Sequence, residues 1–220
     1  MVFIPGGEFL LGAQAGETEP QFLSERTTGK NAQPQQRYKV DPFFIDRYEV
    51  AYDQFLRFKP QAKYEGGMPG EPVRGVSWYE ADAYCLWMNK RLPTEYEWEK
   101  SARGTDGRVF TWGNEFAREN ANLGRSVQRA GSFEKDKSPY AVYDLNGNVA
   151  EWTASSYLPY PNAVFEDPNF GGKLKVVRGG SIQRSEHGFM KEFAMLFYRN
   201  YAPPAIRALD TGFRCAKSAR

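Results

Sequence analysis

A chain of 220 residues is long enough to bury a real core as one large domain or two small ones, and 21 Gly, 14 Pro and 15% aromatic residues point away from a helical bundle toward a loop-rich fold packed on rings. The net charge of +2 is uneven: Lys173 to Arg220 carries +7 and the rest −5. That basic quarter reads first as a solvated surface balanced by the acidic remainder. It lacks the basic, aromatic-interleaved runs of nucleic-acid modules, and no stretch approaches the roughly 20 apolar residues of a membrane span.

The opening "MVFIPGGEFLLG" reads as strand, Pro-Gly-Gly turn, strand, with nothing resembling a signal peptide. Residues 13–36 are polar and turn-rich, a long surface loop. "RYKVDPFFIDRYEV" is strand-like with Pro42 at a bend or edge, and "YEVAYDQFLRF" reads as a short helix with Val50, Phe55 and Phe58 on one side. Ser77 with Glu80, then Thr94 with Glu97, form two capping boxes that each open a helix, and Gly104 ends the second. Beyond residue 105, short strands are expected at "VFTW", "AVYD", "VAEWT", "KVVRGG", "AMLFYR" and "TGFRCA". Helices early and strands late predict an α+β fold.

Three features raise chemical questions. Cys85 and Cys215 are the only cysteines, too few for a cysteine-rich zinc site. Their spacing fits two buried thiols or one long-range disulfide equally. The acids Glu95, Glu97 and Glu99 look catalytic, but a spacing of two does not share a helix face and Glu97 caps its own helix, so structural duty is expected. The stretch Asp144–Trp152, "DLNGNVAEW", reads as a turn at Asn146-Gly147 or as a cage of hard oxygens for a cation. Glu151 follows Asp144 by seven positions, which is not EF-hand spacing.

In order, "MVFIPGGEFLLG", "FFIDRYEVAYDQF", "PVRGVSWYEADAYCLWMNKRLPTEYEWEKSARG", "FTWGN", "ANLG", "AVYDLNGNVAEWT", "VVRGGS" and "DTGFRCA" resemble the formylglycine-generating enzyme (sulfatase-modifying factor) family over nearly the whole chain. The resemblance implies an elaborated C-type-lectin-like fold in a single domain, residues 1–220, with two or three helices and short antiparallel strands. It implies that the natural chain carries a signal, anchor or further domain upstream of Met1. It implies calcium at Asp144, the carbonyls of Gly147 and Val149, and Glu151, with a weaker second site beginning at Asn122 and Leu123. Cys85 and Cys215 match positions that form a structural disulfide in some secreted members, and such a bond favours a periplasmic or envelope location.

The family's oxidases use two thiolates after the "GGS" motif to bind copper, a soft metal that needs soft ligands. Here those positions fall at about Arg184 and Phe189, so no copper is expected. His187, the only histidine, reads as a surface or packing residue. The reading that follows is a non-catalytic, calcium-stabilised module that binds a protein partner through a cleft lined by Arg184, His187, Arg199 and Trp152. Its rivals are a cysteine-independent oxidase-type enzyme and an accessory subunit of an envelope or redox complex. A retroelement-type variable protein ranks low, because residues 181–212 show no excess of Asn, Tyr or Ser.

Overall fold

The computed structural model describes residues 1–14, 29–61, 67–182 and 191–219. Strand β1 (Val2–Ile4) and strand β2 (Gly7–Leu11) flank the Pro5-Gly6 turn, yet they do not pair with each other. β2 forms an antiparallel ribbon with β3 (Gln36–Val40), while β1 pairs with β4 (Phe43–Ile45). Pro42 lies in the break between β3 and β4, where its missing N–H costs no ladder bond.

Helix α1 (Tyr52–Phe58) buries Phe55. Helix α2 (Trp78–Trp87) starts at the Ser77 box, and α3 (Glu95–Arg103) at the Thr94 box. In both boxes the side chains satisfy donors that the first helical turn leaves orphaned. Gly104 closes α3 at φ 68°, a left-handed conformation suited to glycine.

Of the late segments, "VAEWT" becomes β5 (Ala150–Ser156) and "KVVRGG" becomes β6 (Lys175–Arg178). "VFTW" and "AVYD" are not strands; each contributes one isolated bridge, Phe110 with Gly113 and Tyr143 with Lys137. Ala141 and Asp144 at φ 61° and 58° turn the second of these out of extended geometry. "AMLFYR" yields only its last residue to β7 (Arg199–Ala202). "TGFRCA" splits into β8 (Thr211–Gly212) and the start of β9 (Ala216–Ser218).

The larger sheet runs β7-β6-β5-β8, antiparallel except for the parallel β5–β8 pair, and the chain's last described strand, β9, joins β4 to complete a three-stranded sheet, β1-β4-β9. Among the described residues, three α-helices and mostly antiparallel strands make a mixed α+β, C-type-lectin-like fold. One core gathers Phe9, Trp98 and Phe197. A second gathers Phe55, Tyr84, Trp152 and Phe213 around Cys85 and Cys215, and a small third joins Val127, Val149 and Ile182.

Candidate functional site

The loop before β5 is no exposed turn. Asn146 and Asn148 are 0% and 1% exposed, and every polar side-chain atom of both is bonded inside the protein. Asn146 Nδ2 donates to the Ala194 carbonyl and its Oδ1 accepts from the Thr111 N–H. Asn148 Nδ2 donates to Glu49 Oε2 at 2.7 Å, and its Oδ1 accepts from Asn122 Nδ2. Gly147 passes so close to the Asn122 backbone that a Cβ would sit 2.6 Å from its carbonyl oxygen. Close approach therefore requires glycine here.

Four carboxylates converge on this loop: Glu49, Asp136, Asp144 and Glu151, all nearly or wholly buried. Glu151 is held by Arg214, with Oε1 at 2.6 Å from Nη2 and Oε2 at 2.7 Å from Nε, and it also accepts from Trp98 Nε1. Asp144 Oδ2 accepts from the Gly131 N–H at 2.6 Å. Burial pushes the Asp144 carboxyl up to about 6. Burial and then the Asp144 charge push Asp136 up to about 7. Glu49 is raised well above the carboxylate range by burial, then by Asp144 and Glu151. Four buried carboxyls thus share one guanidinium, Arg214, and burial makes charging all of them costly.

Gly147 and Val149 are buried, and among the described residues no hydrogen bond ends on either carbonyl oxygen. Those two carbonyls and the Asp144 carboxylate are the hard oxygen donors that suit a hard cation, with further carboxyls close by. Glu151 departs from the expectation, because both of its oxygens already serve Arg214. No group of three or more His, Cys, Asp or Glu is disposed to hold a metal among the described residues. Glu49 is the residue the sequence reading missed. Its only signal was an acid set between apolar positions in "DRYEVA".

The second site fares differently. Asn122 spends its side chain on Ser126 O, Asn148 and the Gly124 N–H, and the Leu123 carbonyl accepts from Arg118 Nη2 at 2.9 Å. A cation at that carbonyl would face a guanidinium, so Asn122 and Leu123 are structural.

Trp152 and Arg199 do not line an open partner cleft. Arg184 and His187 lie outside the described residues. Trp152 is 0% exposed and its Nε1 donates to the Val76 carbonyl. Arg199 is 2% exposed and forks onto Glu95, with 2.8 Å from each of Nε and Nη2, while Nη1 donates to Asn31 O. Both point into the core because their polar atoms find partners there, so neither lines an open surface. Glu95 and Glu99 stand four apart and do share a helix face, contrary to the spacing-of-two reading. They hold Arg199, Arg178 and Arg103 in a buried ionic lock, whereas Glu97 caps α3 and pairs with Arg91.

Cys85 and Cys215 are bonded to each other, with Cα atoms 5.6 Å apart, and both are fully buried. Neither offers a thiolate.

The lectin-like scaffold with this buried Asn-Gly-Asn loop defines a formylglycine-generating-enzyme-like protein. The chain belongs to that family: the "Sulfatase-modifying factor enzyme 1-like domain" matches residues 1–219. It is 30% identical to the mouse "Inactive C-alpha-formylglycine-generating enzyme 2", covering 100% of this chain and 86% of that one. It is 37% identical to the "Hercynine oxygenase" of Mycobacterium tuberculosis, over 66% of this chain and 36% of that protein. The chain spans about half the length of other curated relatives it matches. In structure it resembles PvdO from Pseudomonas aeruginosa, with a TM-score of 0.74, 23% identity, and 99% and 93% of the two chains covered. No helix among the described residues is long and apolar enough to cross a membrane.

Proposed function

We propose that this protein is a non-catalytic member of the family, a lectin-like module that calcium stabilises and that binds a protein partner in an oxidising compartment. The observation that carries the reading is the fate of the cysteines. The chain has two, both consumed in one buried disulfide, and the positions aligned with the copper thiolates hold Arg184 and Phe189. A copper oxidase mechanism has no soft ligands to use. The similarity to a relative named inactive supports the same reading. A disulfide of this kind fits an extracytoplasmic location.

The similarity to hercynine oxygenase favours a second reading, a cysteine-independent oxidase-type enzyme. Its weakness is that a single histidine, His187, cannot build a multi-histidine metal centre. The two readings separate in one experiment. Purification from the native source should yield a stoichiometric protein partner and no oxygen consumption with cysteine peptides or hercynine. Turnover of either substrate class by the lone chain would decide for the enzyme.

Calcium would lie against Asp144 and the Gly147 and Val149 carbonyls, with Glu49 as the nearby carboxylate, and would offset their crowded charge. Chelation with EGTA should lower the melting temperature, and added calcium should restore it. At free calcium about a hundredfold above Kd the stabilisation is about 2.7 kcal/mol. An identical melt with and without chelator would remove calcium from the proposal.

A further inference from the structure

A cleft of about 660 Å3 opens between α1, α2 and the segment joining β4 to α1. Its volume lies in the range of small-molecule sites, roughly 300–1,000 Å3. Two aromatic walls are exposed yet held in place. Tyr48, 41% exposed, packs on the Tyr143 ring at 5.2 Å and over Gly131, where a Cβ would come within 2.6 Å of Tyr48 Cε1. Trp87, 53% exposed, is buttressed by Phe58 at 5.7 Å and Tyr84 at 5.9 Å. Exposed rings that inner rings support present a flat apolar surface at little further ordering cost.

Charge gives the cleft its sign. Lys90 is bound to Asp46 at 2.7 Å, and Glu49 turns inward to Asn148 and the Val149 N–H. Arg47 and Arg57, both exposed on the lining, have no hydrogen bond or ion pair from their side chains among the described residues. A guanidinium is a planar fork that matches a carboxylate, and its worth rises beside apolar surface.

We propose that this cleft binds a small aromatic carboxylate, with its ring on the Tyr48 and Trp87 faces and its anion on Arg47 and Arg57. The site is separate from the partner reading and does not depend on it. Isothermal titration of the full chain with 2-naphthoate tests it, with 2-naphthalenemethanol as the neutral twin. Saturable one-to-one binding of the carboxylate is expected, with the alcohol and the Arg47→Ala/Arg57→Ala double variant each weaker by about tenfold or more. Trp87→Ala should weaken binding as well, and the affinity should fall as salt rises. All three side chains are exposed, so the variants should melt close to the parent. No saturable binding, equal affinity for acid and alcohol, or unchanged affinity in the double arginine variant would overturn the proposal.

Discussion

Replacing Arg178 with methionine should lower the melting temperature by roughly 6–20 °C, since breaking a buried ion pair costs about 3–5 kcal/mol and a chain of this size shifts about 2–4 °C per kcal/mol. Arg178 is 0% exposed and reaches Glu99 Oε2 at 2.7 Å, Tyr160 Oη at 2.9 Å and the Leu196 carbonyl at 2.7 Å. Methionine fills much of the volume but leaves Glu99 short of a partner and the Leu196 carbonyl without this donor. The lock ties α3 to β6 and β7, which lie far along the chain, so its loss loosens the helix from the larger sheet. Arg37→Met is the control. Its pair with Glu8 is 77% and 58% exposed, and such pairs are worth about 0–1 kcal/mol. Equal melts for the two variants would show that the lock contributes little beyond a surface pair.

The same lock sets an acid limit. Burial would raise the Glu99 carboxyl, but Arg178 and Arg103 outweigh it and hold the group below its ordinary value. A folded-state pKa depressed in this way stabilises the fold above the unfolded value of about 4.3, and that stability drains away as pH falls through the folded value. In a melt series from pH 7 downward, Glu99→Gln should therefore show a shallower acid loss than the parent, from a lower starting point.

Removing the disulfide as Cys85→Ala/Cys215→Ala should cost about 4–5 kcal/mol, read as a lower urea midpoint with a steeper slope, because the uncross-linked unfolded chain exposes more surface. The bond closes a loop of 130 residues by sequence separation, and loop-closure entropy withheld from the unfolded chain grows with that length. Both sulfurs lie in the core that holds Phe55, Tyr84 and Phe213, so the truncation also leaves a small void. A midpoint within experimental error of the parent would mean that the bond adds nothing the packing does not already supply.

Local signals were legible and distant ones were not. The Ser77–Glu80 and Thr94–Glu97 boxes each span four residues and carry their own hydrogen-bond partners, so both helix starts stand where the chain places them. Strand identity was less secure. Apolar runs such as "VFTW" and "AMLFYR" have the right residues, but pairing partners decide whether a run becomes a strand, and here the first finds one bridge and the second pairs only at Arg199. The Asn-Gly-Asn loop was visible as a special stretch. Its burial, and its dependence on Glu49 about a hundred residues upstream, were not visible, because a carboxylate's neighbours are set by the fold.

The sequence by itself determined the family, through ordered motifs across the chain, and it determined that no pair of thiolates follows the "GGS" segment, because one of the two cysteines, Cys85, precedes it. Only the tertiary structure decided what the polar residues do. It bonded Cys85 to Cys215 as the resemblance implied, turned Trp152 and Arg199 inward, and gave the structural duty expected of Glu95 and Glu99 its form, as the anions of an ionic lock. A buried charge is stable only with its counter-charge beside it. Arg103 stands four positions from Glu99, but Arg178 and Arg199 reach Glu99 and Glu95 from 79 and 104 positions away.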